Sequence, residues 1–298
     1  MQAEDGQPRG LVRFHLQVSR PGLWFPTVWL YLLPLTSVDG PAGVGRLGDP
    51  TFWLGLFYVC WPLNHMVYGW NDLVDTETDA VNPRKGTWLF GARGTQAQLS
   101  TLPTGIAIVQ LLCWPFLMWV GGPWVLGTAL AIVGVLWAYN HPTHGLRGRP
   151  PGDLISQAGY LLTVVLSCQL NGVALPGPLV FVYLALFCLQ AQLMGEVMDI
   201  APDRATGRRT TATELGARRT KWLIITVVSA EVAIVGGPLG DPAFALGLSG
   251  FLAWLLLDQL VLFREGVYSL TLMKLFGIAG NLCAVFSMAW VWWRGGLG

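Results

Sequence analysis

The sequence predicts an all-α polytopic membrane protein, and three observations predict it. Hydrophobic residues make up 53% of the 298 positions and charged residues only 12%, against about 25% charged in an ordinary soluble domain. Apolar stretches recur near 22–38, 51–70, 102–120, 122–139, 154–171, 178–197, 221–237, 242–263 and 271–293. Each approaches the roughly 17–25 residues that a helix needs to cross a bilayer. Basic residues then fall on alternate loops. With a cytoplasmic amino terminus, the inside loops carry Arg9, Arg13 and Arg20; Arg84, Lys85 and Arg93; Arg147 and Arg149; Arg204, Arg208, Arg209, Arg218, Arg219 and Lys221; and Arg264 and Lys274. Only Arg46 and Arg294 remain outside. One miscounted helix would scramble that segregation, so the positive-inside rule favours about nine spans. A bacterial inner membrane is the expected setting.

The first stretch follows a polar segment of mixed charge without a small-residue cleavage site, so it reads as a retained helix, not a signal peptide. Outside connections such as Gly121–Pro123 and Gly172–Gly177 are minimal. The inside loops after the second and sixth stretches are long and rich in Asp, Arg, Gly and Thr. Function is therefore expected on the cytoplasmic face, where such loops can cap a site. Cys60, Cys113, Cys168, Cys188 and Cys283 all fall inside apolar stretches without zinc-type spacing, and read as small packing residues. No linker or low-complexity run divides the chain, which is expected to form one domain over residues 1–298. A net charge of +1 and the absence of a basic face argue against a nucleic-acid partner.

Two polar stripes carry the chemistry. Asn64, Tyr68, Asn71 and Asp75 are spaced by four, three and four residues, which places them on one face of the second helix. Gln192, Glu196, Asp199 and Asp203 repeat that spacing on the sixth. Asp72, Glu77 and Asp79 add carboxylates to the end of the first stripe, with Glu77 turned away from Asp75. A plain interhelical hydrogen-bond seam would favour neutral side chains. Several carboxylates at the edge of hydrocarbon point instead to an ion or substrate site.

Carboxylates without His or Cys ligands select hard cations, Mg²⁺ before Zn²⁺. Mg²⁺ commonly bridges one or two carboxylates to substrate phosphates, so two facing clusters suit a diphosphate. Arg84 and Lys85 follow the first cluster, and Arg204, Arg208 and Arg209 follow the second, as cations for phosphate oxygens. A diphosphate site opening into lipid implies a substrate with a long apolar tail and a membrane-soluble acceptor. Among the 15 Trp, 13 Phe and 7 Tyr, Tyr68 shares the acidic stripe and is the aromatic expected to touch substrate. His65 is expected to pack, and His141 and His144 to lie in a solvated loop.

These motifs resemble the UbiA superfamily of intramembrane prenyltransferases. Asn71, Asp72, Asp75 and Asp79 match its first aspartate-rich motif; Asp199 and Asp203, running on to Gly207, Arg208, Arg209 and Thr210, match its second. Tyr139 through Arg149 is similar to the loop that carries a Tyr and, eight residues on, a basic residue; Ser19, Arg20 and Pro21 also fit. The resemblance implies nine helices in a horseshoe around a central cavity, with cytoplasmic cap loops. It implies Mg²⁺-dependent transfer of an isoprenyl group from a prenyl diphosphate to a lipophilic acceptor, whether quinone precursor, tetrapyrrole, carotenoid or lipid. By position, Asn71, Asp72, Asp75, Asp199 and Asp203 would hold metal and diphosphate, Tyr139 and Arg147 would meet the diphosphate, and Asp79 would act from the cap loop.

The chain departs from the pattern in places. Asn82, Pro83, Arg84 and Lys85 replace the usual turn after the first motif, and resemble a stretch of carotenoid-modifying relatives. Pro202 removes a backbone donor and disfavours helix at Ala201, so the sixth helix is expected to end near Asp199, leaving Asp203 on a loop. Arg147 stands where Lys is usual and offers a planar fork. Two alternatives accompany the transferase reading: a membrane terpene cyclase of the same fold, and an ion transporter. The transporter fits least, because transporter sites lie near the bilayer midplane.

Overall fold

The computed structural model describes residues 10–36 and 44–297; Arg9 and the end of the first apolar stretch lie outside them. Among the described residues the fold is all-helical, with one isolated bridge between Thr87 and Gly91. In chain order the α-helices are α1 (Leu11–Val18), α2 (Phe25–Leu32), α3 (Pro50–Cys60), α4 (Pro62–Val74), α5 (Thr76–Val81), α6 (Gln96–Leu99), α7 (Leu102–Gly121) and α8 (Trp124–Asn140). They continue with α9 (Gly152–Ile155), α10 (Leu162–Asn171), α11 (Pro178–Ala205), α12 (Thr211–Leu215), α13 (Ala217–Gly236), α14 (Pro242–Leu257) and α15 (Leu270–Arg294). Many open on proline at the first turn, where the missing N–H costs nothing.

Five helical runs are long and apolar enough to cross a membrane: Gln96–Gly121, Gly152–Asn171, Pro178–Ala205, Pro242–Leu262 and Leu270–Arg294. Phe25–Leu35 and Trp124–Asn140 are shorter apolar helices. The other two expected stretches differ for physical reasons. The run 51–70 is interrupted at Trp61, where Pro62 lacks an N–H to continue the ladder, so it forms α3 and then α4. α13 carries Arg218, Arg219 and Lys221 in its first turns and Glu231 further along, which lowers its hydropathy. Large side chains such as Leu111, Phe116, Trp119, Trp124, Leu246, Val285 and Phe286 are exposed, a surface suited to acyl chains.

Inside, α11 packs on α13 and α13 on α14, while α4 rests on α7 and α10 on α2 and α8. Among the described residues four apolar clusters fill the interior; in one, Trp29 meets the rings of Tyr183, Phe187 and Phe244. Polar clasps close the helix ends. Lys221 Nζ lies 3.0 Å from Asp258, which also accepts from the Tyr268 hydroxyl at 2.6 Å. At the opposite end Asp241 caps α14 through Phe244 N–H and receives Trp290 and Arg294.

One expectation about α11 fails. The helix runs through Pro202 to Ala205, and Asp203 sits on it, 2% exposed. Pro202 lies in the last turn, so its ring forfeits only the bond to the Met198 carbonyl. Beyond it the ladder resumes, with Thr206 N–H donating to the Pro202 carbonyl at 3.2 Å. Packing of α11 against α12 and α13 outweighs the roughly 3 kcal/mol cost of a helical proline.

Candidate active site

α4, α5 and the C-terminal turns of α11 bring the two acidic stripes to one end of the bundle, under the loop 82–95 and the loop that joins α11 to α12. Asn71 and Asp72 occupy the last turn of α4, Asp75 its junction with α5, and Asp79 lies on α5. Asp72, Asp75 and Asp203 are buried. Glu77 is exposed and off the site.

Asp72, Asp75, Asp79, Asp199 and Asp203 each face a cation. Lys85 Nζ bridges Asp72 at 2.5 Å and Asp79 at 2.6 Å. Arg20 reaches Asp72 at 3.1 Å and lies 4.2 Å above the Tyr68 ring. Arg147 and Arg208 both grip Asp75, Arg208 at 2.9 Å, and Arg208 stands 3.9 Å from Asp203. Arg84 makes a two-pronged pair with Asp199, whose Oδ1 also accepts from Asn82 Nδ2 at 2.8 Å. The Tyr139 hydroxyl pairs with Gln192 and faces Arg208 and Glu196. Asn71 is half-buried beside Asp72. Arg204 and Arg209 are exposed at the rim, Arg209 on Glu214 at 2.7 Å.

Electrostatics explain the pairing: burying a carboxylate or a cation costs free energy that a matched opposite charge offsets. Burial, with the neighbouring Arg208 charge, pushes the Arg147 guanidinium down to about 10, which leaves it a cation at neutral pH. Burial pushes the Asp79 carboxyl above its ordinary range, against the pull of Lys85.

Sequence reasoning missed three residues of this cluster. Arg20 was visible only as part of the opening before the first helix, and here it takes φ 54° to aim at Asp72. A Cβ on Gly91, at φ 98°, would stand 3.0 Å from Arg20 Nε, so the cap loop needs glycine there. Asn82 also organises that loop, its carbonyl accepting from Arg93 at 2.6 Å. Asp153, fully buried, had no stripe to reveal it. The histidines stand as expected: His65 is buried against His15 Nδ1 at 2.8 Å, and His141 and His144 stack in the α8–α9 loop.

Among the described residues no three His, Cys, Asp or Glu side chains converge into a ready metal cluster. The donor set nevertheless fits a hard cation: it is all oxygen, and Asp203 Oδ1 is buried without a hydrogen-bond partner. Arg20, Lys85, Arg84, Arg147 and Arg208 lie on oxygens of Asp72, Asp79, Asp199 and Asp75.

The model of the UbiA prenyltransferase family matches residues 23–267. The chain belongs to that family. This UbiA-family enzyme is thus a prenyltransferase, and its apolar helices agree with an integral membrane protein. It is 29% identical over 253 residues to a lycopene elongase/hydratase of Corynebacterium glutamicum, covering 80% of this chain and 81% of that protein. A lycopene elongase/hydratase of Haloferax volcanii is 29% identical over 209 residues, covering 66% and 65%. The fold matches that of a UbiA homolog from Archaeoglobus fulgidus bound to DMAPP and Mg²⁺, with TM-score 0.60, 17% identity, and coverage of 93% of this chain and 99% of that one.

Proposed function

We propose that this UbiA-family enzyme transfers an isoprenyl group from a prenyl diphosphate to a linear polyene acceptor of carotenoid type, with Mg²⁺ as cofactor. The observation that carries the reading is the convergence of both acidic motifs through one residue: Arg208 lies between Asp75 of the first and Asp203 of the second. The relatives named lycopene elongase/hydratase support a polyene acceptor, as does the Asn82–Lys85 stretch of the cap loop. The likeness to a fold that holds DMAPP and Mg²⁺ supports the donor and the cofactor.

Asn71, Asp72, Asp75, Asp199 and Asp203 would hold the metal. Bound there, Mg²⁺ would neutralise diphosphate charge as the carbon–oxygen bond breaks. Arg84, Lys85, Arg147 and Arg208 would exchange their carboxylate partners for phosphate oxygens, which supplies stabilisation as negative charge develops. Asp79 would steady Lys85 from α5, on which it lies instead of on the expected cap loop, while Tyr139 would orient the diphosphate. Tyr68, already under the Arg20 guanidinium, presents a ring face to the allylic cation. Attack by a terminal double bond of the acceptor moves the positive charge onto its tertiary carbon. Loss of a proton, or addition of water and loss of a proton, ends the reaction.

The reading places one domain across residues 1–298, nine spans in a horseshoe and the cap loops on the cytoplasmic side of a bacterial inner membrane, supported by the distribution of basic residues. It is tested by mass spectrometry of lipid extracts from cells with and without the protein. A pigment heavier by isoprene units, with or without an added water, is expected. A shift on a quinone or tetrapyrrole would replace the acceptor.

A further inference from the structure

Asp153 lies outside every acidic motif, yet it is fully buried and accepts three hydrogen bonds. Its Oδ2 takes the Thr211 N–H at 2.6 Å, and its Oδ1 takes the Thr211 hydroxyl at 2.9 Å and the Leu154 N–H at 3.0 Å. The next backbone N–H, that of Ala212, donates to Glu196 Oε2 at 3.1 Å, and Glu196 Oε1 takes Gln192 Nε2 at 2.9 Å. Consecutive amides thus place the two carboxyl groups side by side, and Glu196 is 5% exposed. Holding two carboxyl groups side by side away from water costs free energy, which the donors on Thr211, Ala212, Leu154 and Gln192 offset.

Its position joins two loops. Asp153 follows Arg147 by six residues in the α8–α9 segment, and Thr211 follows Arg208 by three after α11. Those two arginines close on Asp75 from both sides, although their like charges repel. Arg208 Nε is buried without a hydrogen-bond partner, so the guanidinium keeps a donor for a further anion. Asp75 holds both guanidinium groups and the Val74 carbonyl accepts from Arg147 at 3.0 Å, while the bonds from Thr211 and Ala212 to Asp153 and Glu196 tie together the two segments that carry them.

We propose that Asp153 and Glu196 are positioning residues, a brace that sets the spacing of the Arg147–Arg208 pincer for a diphosphate anion. This rests on the diphosphate reading above. The brace touches no substrate and acts through Arg208. Asp153→Ala frees α12 and the loop before it and weakens diphosphate capture, whereas Glu196→Gln keeps an acceptor for Ala212 and preserves it.

The test is inorganic pyrophosphate binding with Mg²⁺ by calorimetry, on the full chain in detergent and on Asp153→Ala, Arg208→Ala, the double variant and Glu196→Gln. Thermal unfolding of each checks folding, and Thr211→Val, which removes only the hydroxyl donor, replaces Asp153→Ala if that variant does not fold. Expected are losses of about tenfold or more for each single alanine variant. The double variant should lie within about threefold of Arg208→Ala, and Glu196→Gln within about threefold of the wild type. Losses that multiply in the double variant, or undiminished binding by Asp153→Ala, overturn the brace. A wild-type protein that binds no pyrophosphate overturns the diphosphate reading itself.

Discussion

At the scale of single residues, Lys85 is the most heavily committed cation. Its side chain is 5% exposed and it neutralises Asp72 and Asp79 together. Removing one partner of a buried pair leaves an uncompensated charge and costs about 3–5 kcal/mol. Lys85→Ala should show that loss in thermal or denaturant unfolding, whereas a loss below about 1 kcal/mol would mean the acids are solvated like a surface pair. Glu231 gives the opposite sign. It is fully buried on α13, and neither carboxyl oxygen has a hydrogen-bond partner. An unsatisfied buried polar group costs about 1–3 kcal/mol, so Glu231→Leu should stabilise the protein by that order. Unfolding temperature reads it, and a drop would show that Glu231 holds a partner the packed chain conceals.

At the scale of elements, proline decides more than hydropathy does. Pro62 splits one apolar run into α3 and α4, and Pro202 is absorbed into α11 without ending it. The difference lies in what surrounds each. Pro62 opens a new helix, where its missing N–H is harmless, while Pro202 sits inside a turn held by packing on α12 and α13. Pro202→Ala should therefore restore a bond to the Met198 carbonyl and raise stability by up to about 3 kcal/mol. Asp203 should stay in place and activity should persist. A variant that is more stable but inactive would mean that the proline bends Asp203 into position.

At the scale of the molecule, the sequence shows the acids clearly and their partners poorly. The four-three-four spacing on α4 and α11 is a local helical signal, so Asp75, Asp199 and Asp203 were legible. The pairs that hold them join residues far apart in the chain, as in Arg20 with Asp72 or Asn82 with Asp199, and no periodicity announces them. Asp153 was hidden for the same reason, since its value lies in two loops that only the fold brings together. Spans were legible as apolar stretches, but breaks and hydropathy lowered by inward-facing charge were not.

One measurement tests the central claim most directly: diphosphate release and product mass with purified protein, dimethylallyl diphosphate and lycopene, with and without Mg²⁺, for the wild type and Asp75→Asn. The account predicts release that needs both Mg²⁺ and the polyene, a product one isoprene unit heavier, and loss of both in the variant. A cyclised hydrocarbon formed without acceptor, or full activity in Asp75→Asn, would contradict it.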